Sequence, residues 1–143
     1  MPPAQREKDL LELERLLSWL HRRLRRESHG VSGLTFAQYY LLYLIEKESA
    51  TVTELADALG VSLSSVTGLA DRLVKCGLVG RARDRMDRRV VMISITLRGE
   101  ELLSRIRKRR QELIADYFKE LNDAEIEAAV RLLRTAEQTG RMR

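Results

Sequence analysis

The sequence predicts a mainly α-helical fold with one small β-hairpin. Hydrophobic residues recur at steps of three and four along most of the 143-residue chain, as they do on one face of a helix. Ser, Thr or Asn followed three positions later by Glu or Gln marks several helix starts, because such pairs form capping boxes. Between residues 78 and 96 the period shortens to two, which favours paired strands. These patterns together predict helices on both sides of a short central hairpin.

The composition is that of an ordinary folded domain. Hydrophobic residues make up 44% and charged residues 33% of the chain, which separates it from disordered sequences. The 26 Lys and Arg outnumber the 21 Asp and Glu, and the net charge of +5 suits a nucleic acid or an anionic surface. The single cysteine excludes an internal disulfide, and the chain shows neither a signal peptide nor a membrane-spanning run. We therefore expect a cytoplasmic protein.

The first helix is predicted from a leucine seam. After Pro2 and Pro3, which we expect in a frayed tail, leucines recur in a heptad pattern over roughly 15–20 residues. The seam consists of Leu10, Leu13, Leu17, Leu20 and Leu24. A lone helix of this kind needs a partner to cover its apolar face. The segment 27–33 holds two glycines and predicts a loop.

Two further helices begin with capping boxes. Thr35 and Gln38 open a helix that is apolar nearly all round, so we expect it to be buried. Thr51 and Glu54 open a shorter helix, and Gly60 is placed to end it in the left-handed conformation.

The next helix completes a predicted helix-turn-helix. It is capped by Ser62 and stopped by Gly77, and its inward apolar stripe is Val66, Leu69, Ala70 and Leu73. The outward side chains can reach phosphates and base edges in a major groove, which is about 12 Å wide. These candidate DNA-binding residues are Ser62, Ser64, Ser65, Thr67, Gly68, Arg72 and Lys75. A solvated polar face is the alternative, and Gly68 either admits close approach to DNA or relieves packing.

The hairpin carries the stronger electrostatic signal. Strands are predicted over 78–83 and 89–96, and residues 81–89 hold five Arg and two Asp, a local charge of +3. Arginine suits phosphates and the narrow minor groove, so the predicted DNA contacts are Arg83, Arg85, Arg88 and Arg89. Asp87 is two positions from Arg89, so on an extended strand its carboxylate can hold that guanidinium. Asp84 suits a plain turn equally well, and a solvated turn is the alternative for the whole loop.

The C-terminal part predicts two more helices. Thr96 caps a helix of about 24 residues, and Asn122 with Glu125 opens the last one. The terminal helices carry more apolar surface than one small domain can cover, so we infer that they pack against a second copy. The predicted organisation is a dimerisation helix and loop over 1–33, a winged helix-turn-helix over 34–99, and dimerisation helices over 100–143.

Two segments closely resemble the MarR family of bacterial transcription regulators. They are LTFAQYYLLYLI (34–45) and 53–103, whose most specific pieces are ELADALGVSLSSVT, DRLVKCGLV and DRRVVMISIT. The resemblance implies that 62–75 form the recognition helix, that Arg89 enters the minor groove at the tip of the wing, and that Asp87 orients it. It also implies a homodimer, with interlaced first and last helices, that binds a roughly palindromic operator in double-stranded DNA, most often as a repressor.

The same resemblance implies a small aromatic or phenolic effector that releases the DNA. The residues that suit such a pocket are Trp19, Tyr39 and Tyr43, with core packing as the alternative. A thiol-based redox regulator is another reading, through Cys76, which follows Lys75. The alternative for that cysteine is a small half-buried residue.

Other classes of function have less support. The chain lacks the nucleotide-binding, metalloprotease and serine-hydrolase motifs, so no enzyme is predicted. With two histidines and one cysteine, neither a metal site nor a cofactor is expected. The basic runs 22–26 and 105–110 leave open an RNA-binding or membrane-surface protein, with solvated helix faces as the alternative.

Overall fold

The computed structural model describes residues 1–142, apart from the side chain of Ser28. In chain order its elements are α1 (Pro3–Ser32), α2 (Phe36–Leu44), β1 (Ala50–Thr51), α3 (Val52–Leu59), α4 (Leu63–Lys75), β2 (Val79–Arg83), β3 (Val91–Ile95), α5 (Leu97–Tyr117) and α6 (Asp123–Arg141). The predicted fold class is confirmed. Residues 1–110 form one compact unit, and a second unit begins at residue 111 within α5.

Helix α1 is longer than the sequence predicted. It begins at Pro3 rather than after a frayed tail, because proline at the first helical position lacks only a donor that would stay unpaired. The predicted loop over 27–33 is also wrong, since the helix runs on to Ser32 and is capped by Gly33. That residue has φ 67°, and its N–H donates to the carbonyl of His29 at 2.7 Å. Gly30 stays helical, although glycine within a helix costs about 1 kcal/mol relative to alanine. The helix is instead ended by the second glycine of this segment, Gly33.

The first capping box forms as predicted. The Thr35 side chain accepts from the N–H of Gln38 at 3.3 Å, and the Gln38 side chain accepts from the Thr35 N–H at 2.9 Å. Full burial of α2 was wrong, however. Leu41 and Leu42 are buried, whereas Tyr43 is 49% exposed, so one edge of this helix faces solvent.

The helix-turn-helix is also confirmed. Thr51 and Glu54 form the capping box of α3, and Gly60 ends that helix with φ 67°. Ser62 then caps α4 by accepting from the N–H of Ser65 at 3.2 Å. Local hydrogen bonds thus fix both ends of the turn between the two helices.

The predicted hairpin is present. Within residues 1–142, its sheet also has a third strand, β1. Strands β2 and β3 pair antiparallel, with Arg81 opposite Ile93. The two-residue strand β1 pairs with the other edge of β3, so the strand order is β1-β3-β2. Sequence reasoning missed β1 because a strand of two residues is too short to show an alternating pattern. We call residues 79–95, which comprise β2, β3 and their loop, the wing.

The core of the first unit joins α2, α3, α4, the wing and α5. Its fully buried side chains include Leu41, Leu42, Ile45, Leu55, Val66, Leu73, Ile93, Leu103 and Ile106. The inner stripe of α4 is buried at Val66, Ala70 and Leu73, and Leu69 is half-buried. Burial of this stripe determines which side chains of α4 face solvent.

Hydrogen bonds of Thr96 connect the start of α5 to the turn that follows α4. The Thr96 hydroxyl donates to the carbonyl of Gly77 at 2.6 Å and accepts from the N–H of Gly99 at 3.1 Å. Thr96 therefore caps α5, as the sequence predicted. The helix itself has 21 residues rather than about 24.

Helix α6 opens with the predicted capping box between Asn122 and Glu125. Large apolar side chains are exposed on this helix and on α1. On α6 they are Ile126, Val130, Leu132 and Leu133, and on α1 they include Leu10, Leu13, Leu16, Leu17 and Trp19. None of the helices in residues 1–142 is both long and apolar enough to cross a membrane.

Candidate nucleic-acid interface

One face of α4 presents polar side chains to solvent. All seven residues that the sequence placed outward are exposed: Ser62, Ser64, Ser65, Thr67, Gly68, Arg72 and Lys75. Residues 64, 68, 72 and 75 follow one another at helical spacing, so they form a single stripe. The predicted division of this helix into an inward and an outward face is confirmed, whereas contact of these residues with DNA stays a prediction.

Three serine hydroxyls meet at the start of this stripe. The Ser62 Oγ lies 3.1 Å from the Oγ of Ser64 and 2.9 Å from that of Ser65. The N-terminus of a helix also carries unpaired N–H groups and a positive partial charge, which favour an anion. Hydroxyls and helix dipole together suit a phosphate of the DNA backbone at this end.

Two residues in the middle of the stripe have distinct properties. The Thr67 hydroxyl donates to the carbonyl of Leu63 at 3.0 Å, so its oxygen retains lone pairs that can accept. A Cβ built on Gly68 meets no atom within 4 Å. Gly68 therefore relieves no packing in the chain, and that alternative was wrong. Close approach to DNA stays a prediction for this glycine.

The wing holds an arginine in place through a carboxylate. Arg89 donates through Nε to Oδ1 of Asp87 and through Nη2 to Oδ2, both at 3.1 Å, and its backbone N–H donates to Oδ1 at 3.0 Å. These bonds hold the pKa of Asp87 below its ordinary value. The predicted contact is therefore present, but its predicted strand geometry was wrong. Residues 84–90 form a loop, in which the carboxylate closes a turn.

Internal hydrogen bonds also shape the rest of the loop. Asp84 accepts from the N–H of Met86 at 2.7 Å, which makes it a turn residue. Arg83 donates through Nη1 to the carbonyl of Arg88 at 2.7 Å, so part of its guanidinium braces the loop. Arg85 and Arg88 are exposed. Met86, which the sequence analysis did not single out, is the most exposed of the large apolar side chains at 96%.

An ion pair joins the wing to the recognition helix. Nη1 of Arg81, on β2, lies 2.6 Å from Oδ1 of Asp71 on α4. Nη2 of the same arginine donates to the carbonyl of Thr67 at 3.3 Å. The sequence analysis missed this contact, because the two charged residues lie ten positions apart on different elements and form no local pattern.

Of the predicted effector residues, Trp19 lies on α1, whereas Tyr39 and Tyr43 lie on α2. Tyr39 and Tyr43 are neighbours, with ring centroids 6.5 Å apart, and Tyr39 packs against the core. Trp19 borders a separate hollow with Arg22, Arg23 and Arg26, which neither tyrosine lines. Tyr39 therefore has the core packing that the sequence analysis gave as the alternative, and its place in an effector pocket stays a prediction.

A different cavity lies where α1 meets α2. It has a volume of about 390 Å³ and is lined by Arg22, Arg25, Arg26, His29, Leu34, Thr35 and Phe36. The Arg25 guanidinium lies 5.3 Å from the centroid of the Phe36 ring. The sequence analysis did not include Arg22, Arg25 and Arg26 in a pocket, because it treated 22–26 as a simple charge run and 27–33 as a loop.

The remaining candidates for chemistry are the cysteine and the residue types that can bind a metal ion. Cys76 follows the last turn of α4 and is exposed, so its predicted half-buried state was wrong. In the part of the chain that the structure describes, no three His, Cys, Asp or Glu residues lie close enough together to hold a metal ion.

An exposed recognition helix beside an arginine-rich wing defines a winged helix-turn-helix protein, and known proteins share this architecture. The profile of the MarR family matches residues 32–90. The HTH-type transcriptional regulator YsmB of Bacillus subtilis is 37% identical over 86 residues, which are 60% of this chain and 59% of YsmB. The HTH-type transcriptional repressor MdtR of the same species is 34% identical over 101 residues, 70% of this chain and 65% of MdtR. This chain thus spans under two thirds of the length of each of these two regulators.

The similarity to a solved structure extends over nearly the whole chain. The structure of a MarR family protein from Bacillus stearothermophilus has a TM-score of 0.80 at 31% identity, and the match covers 93% of this chain and 96% of that one. The chain belongs to the MarR family, and it is a DNA-binding transcription regulator of the winged helix-turn-helix class. The relatives that it matches are regulators rather than enzymes.

Proposed function

We propose that the protein is a homodimeric repressor that binds a roughly palindromic operator in double-stranded DNA. The observation that carries this proposal is the exposed hydroxyl-bearing face of α4 beside a wing whose Arg89 is already held by Asp87. Hydroxyls and arginines on these two elements match the chemistry of base edges and phosphates. The relative MdtR is a transcriptional repressor, which supports repression rather than activation.

Dimerisation is inferred from apolar surface that the single chain leaves exposed. Leu10, Leu13 and Leu17 lie on one side of α1, and each is at least 44% exposed. Ile126, Val130 and Leu133 are exposed on α6. Burial of such side chains stabilises association by roughly 25 cal/mol per Å². A second copy supplies the same apolar surfaces by symmetry and covers both helices.

A two-fold dimer explains how the interface reads a long site. Two recognition helices spaced by one turn of DNA, about 34 Å, reach successive major grooves on one face of the duplex. Each wing then reaches the minor groove that flanks its half-site. With ~4 phosphate contacts for each subunit, the slope of log K against log salt is about −7.

Release by a small aromatic molecule is the regulatory part of the proposal. The cavity between α1 and α2, of about 390 Å³, is within the usual size range for small ligands. Its Phe36 ring can stack on an aromatic or phenolic molecule, and Arg22 and Arg26 can hold an ionised substituent. A ligand that prefers one spacing of the recognition helices shifts the population of dimers toward it.

Selection of bound duplexes from a random pool tests the proposed function. We expect an enriched site with two-fold symmetry, bound at a ratio of two chains per duplex and with a steep salt dependence. Single-stranded RNA and anionic lipid vesicles serve as competitors. Recovery of no duplex at low salt, or preferential capture of RNA or vesicles, contradicts the proposal.

A further inference from the structure

We infer that Arg81 is a positioning residue that fixes the wing relative to the recognition helix, so that each subunit engages a major groove and the adjacent minor groove together. The inference rests on the proposed function. The relevant structural feature is the clamp, defined as Arg81 with its two acceptors, the Asp71 carboxylate and the Thr67 carbonyl.

The clamp has two points of attachment on the helix. Asp71 and Thr67 are four residues apart, so they lie one turn from each other on the same side of α4. The planar guanidinium of Arg81 reaches Asp71 at 2.6 Å and Thr67 at 3.3 Å with two different nitrogens. Two attachments along the helix resist both sliding and rotation of β2 against it, which a single point charge does not.

The clamp acts further out on the wing than the bonds at its base. There, the N–H of Leu78 donates to the carbonyl of Leu73 at 2.9 Å, and the Thr96 hydroxyl donates to the carbonyl of Gly77 at 2.6 Å. These bonds fix where the hairpin leaves α4. Arg81 lies in the middle of β2, closer to the loop that carries Arg89, and therefore controls the direction of the wing.

The environment of Arg81 differs from that of the arginine at the wing tip. The side chain of Arg81 is 35% exposed and directed at α4, whereas that of Arg89 is 91% exposed. Thr67, whose carbonyl Arg81 contacts, precedes Gly68 on the face that we expect to approach DNA. The clamp therefore links the backbone of the reading helix to the strand that leads to the wing tip.

The variants Arg81→Gln and Asp71→Asn test the clamp with the full-length chain and the selected operator. Because each breaks the same ion pair, we expect each to weaken operator binding about tenfold, and the double variant to be no weaker than either. The salt slope should stay close to that of the parent. Arg81→Lys keeps the positive charge but loses the planar guanidinium that reaches both acceptors, so its loss of operator affinity should be intermediate. This variant replaces Arg81→Gln as the test if the glutamine variant does not fold.

A shortened duplex distinguishes positioning from a general loss of stability. It retains both major-groove half-sites and lacks the flanking base pairs that the wings reach. On this duplex we expect the parent and Arg81→Gln to bind equally, because the contribution of the wing is already absent. The exposed wing residue Arg85 provides the control: Arg85→Gln should lower the salt slope by about 2, because the dimer loses one phosphate contact in each subunit.

Three outcomes overturn the inference. The first is unchanged operator affinity in Arg81→Gln and Arg81→Lys. The second is tighter binding by Asp71→Asn with a reduced salt slope in Arg81→Gln, which assigns Arg81 to a phosphate. The third is an equal loss on the full and the shortened duplex. Failure of the parent protein to bind any duplex instead contradicts the proposed function, so the two failures are distinguishable.

Discussion

The Asp87 carboxylate accepts two hydrogen bonds of 3.1 Å from the guanidinium of Arg89, yet 91% of the Arg89 side chain remains exposed. An arginine that is oriented but solvated loses less conformational entropy on binding than a free one. This arrangement fits the contact with DNA that we propose for Arg89. The hydrogen bonds between Asp87 and Arg89 are too exposed to solvent to contribute much to the free energy of folding.

Replacement of Arg89 should separate binding from stability. We expect Arg89→Ala to weaken operator binding by ~1–3 kcal/mol, with a smaller loss for Asp87→Asn, which releases the guanidinium but keeps its charge. Electrophoretic mobility shift and fluorescence anisotropy measure the affinity, and circular dichroism checks the fold. Arg6→Ala removes the same charge from an exposed position in α1 and is the matched control. Equal losses in Arg89→Ala and the control argue against a role for the wing.

Gly68 offers a test in which stability and affinity move in opposite directions. A Cβ at this position meets no atom within 4 Å. Gly68→Ala should therefore stabilise α4 by up to about 1 kcal/mol, through helix propensity alone. If the backbone approaches DNA here, the same methyl group should weaken operator binding. Urea unfolding and anisotropy on one protein preparation measure both effects, and unchanged affinity removes Gly68 from the predicted contacts.

Gly99 has the opposite packing environment. A Cβ built there clashes with the carbonyl oxygen of Leu78 and comes within 2.7 Å of Cγ1 of Ile95. Because backbone cannot move aside cheaply, Gly99→Ala should destabilise the fold by about 1–3 kcal/mol or more. Gly140→Ala is the matched control, since a Cβ there meets no atom within 4 Å. Urea unfolding that shows equal stability for the two variants contradicts this close approach.

The ion pair between Glu46, which follows α2, and Arg107 on α5 predicts a pH dependence. Arg107 donates to Glu46 at 2.6 Å and thereby holds the pKa of Glu46 below its ordinary value of 4.5. A lowered carboxyl pKa contributes stability above the unfolded value, and this contribution is lost as pH falls through the lowered value. The two side chains are 45% and 27% exposed, so Glu46→Gln should cost at most ~1 kcal/mol at neutral pH.

Urea unfolding at several pH values measures this contribution. The free energies of unfolding of the parent and Glu46→Gln should converge as pH falls below about 4. The exposed Glu48 supplies the control, and Glu48→Gln should stay within about 0.5 kcal/mol of the parent throughout. A difference for Glu46→Gln that grows on acidification contradicts the assignment.

The leucine seam on α1 predicts the effect of a buried charge on assembly. Leu17 is 44% exposed in the single chain, and we propose that the second copy covers it. Leu17→Asp should break the dimer, because an unpaired carboxylate is costly in an apolar interface. Analytical ultracentrifugation measures the mass. Arg15→Asp introduces the same carboxylate on the opposite side of the helix and should leave assembly intact. A variant monomer that still binds the operator with parental affinity contradicts the role of the dimer.

Sequence reasoning succeeded where the structure depends on neighbouring residues. The capping pairs of Thr35, Thr51 and Asn122 each span three positions, so their residue types suffice to place a helix start. The inward stripe of α4 is likewise periodic along one element. The pair of Asp87 and Arg89 was predicted as a contact, but with the wrong backbone, because a turn and a strand both bring residues two apart to one side.

The misses involve contacts between distant segments. Strand β1 exists because Ala50 pairs with Ile93, and two residues carry no period that marks them. The clamp of Arg81 likewise requires elements that only the folded chain brings together. The length of α1 was misjudged for a different reason. Two glycines, Gly30 and Gly33, offered alternative helix ends, and composition does not distinguish them.

The strand order has a bearing on aggregation. A projecting hairpin leaves hydrogen-bonding groups on its outer edges, and such edges template intermolecular strand addition. Here β1 occupies the far side of β3 and is itself only two residues long, while β2, at the opposite margin, carries Arg81 and Arg83. A truncated edge and a cationic edge both discourage fibril-like stacking, so the exposed wing can stay dispersed at high concentration.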